Sequence, residues 1–114
     1  MNLDVAKIDG GTLAFHRIDD SVQSLHTLLG GYMEVVYIPE ENPFDGLVML
    51  ADEDGLAKYT KLNLVADFLA ERPIVGPVLI VRAKGSEFVS LTASDKAKLD
   101  WARLGFFDEH HTSP

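Results

Sequence analysis

The sequence predicts an α+β fold: a single domain with a mainly antiparallel sheet of about five to seven strands and three helices packed mostly on one face. Three observations predict it. Strand-like segments outnumber helical stripes. Turn signals such as Gly10-Gly11 and Lys84-Gly85-Ser86 separate neighbouring strand-like segments, which implies hairpins and antiparallel pairing. The 114 residues contain no repeat, low-complexity stretch or linker, and that length suits one domain able to bury a core unaided. Residues 1–107 are expected to form the domain and 108–114 a flexible tail.

Leu3, Val5 and Ile8 read as an irregular first strand, and Thr12 to Ile18 alternates as a second. On that strand Leu13, Phe15 and Arg17 point one way, and Thr12, Ala14, His16 and Ile18 the other. Asp19-Asp20-Ser21 supplies helix caps, and Val22, Leu25, Leu28 and Leu29 mark one helical face. Gly30-Gly31 can stop that helix, because glycine accepts the left-handed conformation. Tyr32 to Ile38 is aromatic and β-branched, the clearest strand in the chain. Two prolines and several turn formers make 39–46 an exposed loop. Leu47 to Ala51 is a short apolar strand, Asp52 to Gly55 a tight turn and Leu56 to Thr60 a return strand.

Asn63 is an N-cap for a helix with Leu64, Val65, Phe68 and Leu69 on its stripe, ending near Arg72-Pro73. The apolar run Val78 to Val81 predicts a central strand covered on both faces. Glu87 to Leu91 returns as a hairpin partner. Thr92 or Ser94 caps a last helix with Ala97, Trp101 and Leu104 on one face and Ala93 and Leu99 as further candidates for it, stopped by Gly105 and followed by Phe106-Phe107 as an apolar anchor.

Several function classes are disfavoured by composition. The net charge of −8 argues against general nucleic-acid binding, which needs cations to displace counterions. The chain has no cysteine, hence no disulfide or thiolate chemistry. Met1 to Val5 shows no basic n-region and no long apolar run, so no signal peptide is expected, and Val78 to Val81 is far too short to span a membrane. A cytoplasmic location is expected. Charge is uneven. Residues 1–56 carry 11 acids against Lys7 and Arg17, while residues 57–114 carry a net of +1, so an anionic ligand is expected to prefer the second half.

Gly-Gly-Tyr-Met-Glu-Val-Val at 30–36, Asp-Glu-Asp-Gly at 52–55, Asn63 with Ala66, and Ile-Val-Gly-Pro-Val-Leu-Ile at 74–80 together form a recognisable series. Over residues 28–92 the chain resembles a small domain family of unknown function found in phages, plasmids and other bacterial mobile elements. The resemblance implies such an origin and a small single-domain product, and it carries over no catalytic residues. The hairpin before residue 20 and the tail after residue 105 lie outside it.

Candidate sites have ordinary structural readings beside them. The acidic turn Asp52-Glu53-Asp54-Gly55 fails as a calcium loop: Ala57 stands where the sharp-turn glycine belongs and Asn63 where a bidentate acid belongs. His110-His111 with Asp108 and Glu109 has ligand-type side chains in the tail, and His16 and His26 have no spaced partner, so no metal is expected. No serine sits in Gly-x-Ser-x-Gly and no Gly-rich phosphate loop exists, so no catalytic residue is named, no cofactor is expected and the chain is read as non-enzymatic. The candidate ligand-binding set is Asn63, Lys61 and Arg82, with Asn63 also sufficient as a cap. Tyr32, Tyr37 and Phe44 are candidate interface residues, with the core as their competing place, and Trp101 reads as a core anchor.

The function expected is that of a phage or mobile-element accessory protein acting on a host protein, with an acidic surface meeting a basic one. The alternative is capture of a small anionic ligand such as a signalling nucleotide. A homo-oligomer is compatible with both.

Overall fold

The computed structural model describes residues 2–39, 44–59 and 61–111, with side chains as far as residue 103. Among these residues the chain forms strands β1 (Asn2–Asp9), β2 (Thr12–Asp19), β3 (Met33–Tyr37), β4 (Leu47–Asp52), β5 (Val78–Lys84) and β6 (Glu87–Val89). The helices are α1 (Val22–Leu29), α2 (Gly55–Lys58), α3 (Leu64–Ala70) and α4 (Ala93–His111). The strands make one open, fully antiparallel sheet in the order β2-β1-β5-β4-β3. β6 pairs with residues 82–84 of β5, beyond the 78–80 stretch that β1 covers.

Alternation along the central strands sends apolar side chains to both faces. Ala6, Ile8, Met49, Val78 and Ile80 join Val65, Leu69 and Leu99 in one core, under α3 and α4. Leu3, Val5, Leu50, Leu79 and Val81 join Leu25 and Leu29 in a second core, under α1. Two of the longer helices therefore share one face and the third covers the other. This also accounts for the look of β1. Its spacing reads as irregular, yet it is a regular strand buried on both sides, so no single-face alternation is visible.

Helix ends follow the local chemistry. Ser21 Oγ accepts the Ser24 N–H at the start of α1, and Gly30 (φ 93°) closes it with its N–H on His26 O. Thr92, rather than Ser94, caps α4: its hydroxyl accepts the Asp95 N–H while the Asp95 carboxylate accepts the Thr92 N–H.

Four expectations need correction. The segment after the acidic turn is the short helix α2, because the Asp54 carbonyl accepts both the Ala57 and Lys58 N–H groups. Gly105 does not end α4, which runs to His111. On α4 the buried face is Asp95, Leu99 and Ala102, and Trp101 is 71 % exposed. The α3 stripe is Val65, Ala66, Leu69 and Ala70, with Leu64 and Phe68 half-exposed. Residues 40–43, Thr60, and the side chains of Leu104, Phe106, Phe107, His110 and His111 lie outside the described residues.

Candidate functional site

Asn63 sits at the start of α3 and is 1 % exposed. Its Oδ1 accepts the Ala66 N–H at 3.2 Å, which is the capping bond. Its Nδ2 donates to Ile8 O and to Gly76 O, both at 2.9 Å. One amide thus ties the end of β1, the start of α3 and the turn before β5 together. Both its donors and its carbonyl are occupied, so the group is a structural tie.

Arg82 does not join it. Arg82 lies roughly 13 Å along β5 from Val78. There its guanidinium holds the Asp95 carboxylate through two hydrogen bonds, of 2.6 and 2.8 Å. That bond holds the Asp95 carboxyl down at about 2 against the opposing effect of burial, helped by the Thr92 N–H and hydroxyl. The pair fixes α4 on the sheet. The set Asn63, Lys61 and Arg82 is therefore divided between two ends of the sheet.

Lys61 does have cationic neighbours. It lines a groove of about 600 Å³ with Lys7, Lys58, Tyr59 and Asn63, closed by the end of α1 and by Gly76-Pro77. Lys7 Nζ donates to Leu28 O at 3.0 Å and Lys58 Nζ to Gly30 O at 3.2 Å, where α1 exposes its last carbonyls. Asp9 is the acidic residue in this lining.

The acidic turn is a lock. The Asp52 side chain is buried, accepts the Asp54 N–H at 2.9 Å and pairs with Lys58 at 2.8 Å. Burial alone would raise its carboxyl. The Lys58 hydrogen bond, the Asp54 N–H and the Lys58 charge together hold it below its ordinary value. Gly31 is required beside it: a Cβ there would stand 2.6 Å from Asp52 Oδ2 and 2.7 Å from Lys58 Nζ. A third cluster sets Asp4 between Arg17 and Lys96, whose hydrogen bonds hold its carboxyl at about 2. Among the described residues no three histidine or acidic side chains gather as a metal site would require.

The candidate interface residues separate. Phe44 is buried in the core under α3 and α4, so it cannot belong to a surface. Tyr32 (65 % exposed) and Tyr37 (77 % exposed) flank and end β3, the edge strand, with Val35 (42 % exposed) between them. Tyr32 meets the His26 ring edge-on at a centroid distance of 5.2 Å. Sequence reasoning missed Val35 and Lys7. The alternation of β3 places Val35 beside Tyr37, and an edge position for that strand would have exposed both.

A family model described as a domain of unknown function, DUF3846, matches residues 1–101. No curated protein and no solved structure matches the chain. The match takes in the β1–β2 hairpin, which the resemblance over residues 28–92 leaves out. In the fold, β1 lies inside the sheet between β2 and β5 and contributes to both cores. No helix of the described residues is long and apolar enough to cross a membrane.

Proposed function

The chain belongs to the DUF3846 family of domains of unknown function, and we propose that it acts without catalysis, by binding another protein through the edge of its sheet. The observation that carries this reading is the pair Val35 and Tyr37, exposed on one face of edge strand β3, with the exposed Tyr32 immediately before it, in the acidic first half of the chain. Large apolar side chains held at a sheet edge beside the exposed Glu34, on a chain of net charge −8, fit a partner surface that is apolar at its centre and basic at its rim. The three shifted carboxylates, Asp4, Asp52 and Asp95, are each lowered and each tied to a cation as a structural pair, so none is offered as a general acid. A phage or mobile-element accessory protein that engages a host protein in the bacterial cytoplasm is the biological form of this proposal, motivated by the resemblance stated above.

The test is affinity capture from bacterial lysate at low and high salt with the wild-type chain and with Tyr37→Asp. The expected result is a protein retained by the wild type, weakened by salt and lost with the variant. Retention of the same proteins by both chains would remove the reading.

A second reading has its own observation, the three lysines around one groove. Lys7, Lys58 and Lys61 give an otherwise acidic protein a local site for a small anion such as a nucleotide. Thermal-shift measurement with a nucleotide panel tests it. A stabilisation abolished by Lys61→Ala supports it, and the absence of any shift removes it.

A further inference from the structure

We propose that the open edge of β3 is a strand-addition site for an extended segment of another protein in which apolar residues alternate with lysine or arginine. This rests on the protein-binding reading above and specifies how that binding occurs.

The backbone register decides which groups are offered. Met33 stands opposite Asp52, so Tyr32 stands opposite Glu53, and Tyr32 O accepts the Glu53 N–H at 3.0 Å. In an antiparallel pair, hydrogen-bonded positions alternate with unbonded ones. Glu34 and Val36 therefore exchange bonds with β4. The N–H and C=O groups of Met33, Val35 and Tyr37 point away from it, toward an edge that no strand covers among the described residues. Such a row is a template for one more strand.

Side chains decide what that strand must carry. Met33, Val35 and Tyr37 share the α1 face, and Glu34 stands on the other. An added strand meets apolar neighbours on the first face, so its residues there are apolar. On the second face Val36 is buried in the core and the exposed neighbour it meets is Glu34, whose contact with Arg72 is loose, at 3.8 Å with both side chains about half exposed. Its residues there are basic. The chain's net charge of −8 favours the same partner. The same charge disfavours a second copy, since pairing two edges would bring together two chains of net charge −8.

The test uses short synthetic peptides that alternate valine with lysine or valine with glutamate, titrated at low salt while backbone amide signals are followed. The valine–lysine peptide should bind and shift the amides of Met33, Val35 and Tyr37, and the valine–glutamate peptide should bind at least tenfold more weakly. Val35→Pro removes an outward N–H from an edge strand, a position where proline is tolerated. It should keep the fold and weaken binding at least tenfold. N-methylation of one alternate set of peptide residues should abolish binding and of the other set should not; this arm decides the matter if Val35→Pro fails to fold. Binding indifferent to Val35→Pro and to both methylation patterns overturns the proposal, as does equal binding of the two peptides. A peptide-free dimer in sedimentation that Val35→Pro dissolves also overturns it, since the occupant is then a second copy. Lysate capture lost with Tyr37→Asp but retained with Val35→Pro defeats strand addition while leaving the protein-binding reading intact. Capture unchanged by both defeats the reading as well.

Discussion

Asn63 and Asp95 show how single polar groups hold this molecule together. Asn63 uses its carbonyl for the helix cap and its amide nitrogen for two buried carbonyls on other segments. Asn63→Asp keeps an acceptor for the cap but sets a carboxylate against Ile8 O and Gly76 O. It should lower stability by about 3 kcal/mol or more in urea unfolding, while Asn63→Ser, which keeps only the cap, should cost roughly 2 kcal/mol. The capping role was legible in the sequence from an Asn ahead of an apolar stripe. The two carbonyl partners were not, because both are separated from Asn63 in sequence and meet it only in the fold. Asp95 supplies a pH prediction. Its carboxyl titrates near pH 2 in the folded chain, against about 3.9 when unfolded. Its contribution, roughly 2 kcal/mol, is therefore complete above about pH 5 and is lost as pH falls from about 4 toward 2. Asp95→Asn should lower the neutral-pH stability by a similar amount and flatten that part of the acid-unfolding curve followed by circular dichroism. Asp4 and Asp52 are lowered as well and act in the same direction.

At the level of elements, the type was more legible than the rotation. α1, α3 and α4 start where their caps put them, and the five longer strands follow the apolar segments. The facing of α4 was misread because Ala97, Trp101 and Leu104 look like the apolar side. The helix instead turns Asp95 inward, where Arg82 and Thr92 hold it, and Leu99 and Ala102 follow Asp95 into the core. The bond to Arg82 ties this face of the helix to β5, and Arg82 is 13 residues from Asp95 in the chain. α3 ends on Glu71 in the left-handed region, φ 57°, a conformation that costs a non-glycine residue about 1 kcal/mol. Glu71 is exposed, so Glu71→Gly should raise stability by about 0.5–1 kcal/mol, read as a higher urea midpoint with an unchanged slope.

Across the whole molecule, the two cores lie on opposite faces of one sheet and share strands β1, β4 and β5. Neither face can lose its packing without disturbing the strands that carry the other. Leu25→Ala under α1 and Leu69→Ala under α3 should therefore each cost about 2–4 kcal/mol and lower one common transition. Far-ultraviolet circular dichroism and tryptophan fluorescence should report the same midpoint in both variants. Separate midpoints would show that the faces unfold independently. The sharing also explains why a site could not be assembled from sequence. Lys61 and Arg82 belong to the same basic half of the chain, yet β5 carries Arg82 away from the end where Lys61 lies.

The sequence by itself determined the class of fold, the antiparallel hairpins, the helix caps and the place of Val78 to Val81 in the centre of the sheet, because these follow from local periodicity and turn chemistry. The tertiary structure decided which strand is an edge, which helix face turns inward and which polar groups meet. Phe44 and Tyr37, both aromatic and both offered as surface, came to opposite ends: one is core and the other stands exposed on β3. Edge or interior is a property of strand order, and strand order is set by pairings between distant segments that local patterning does not encode.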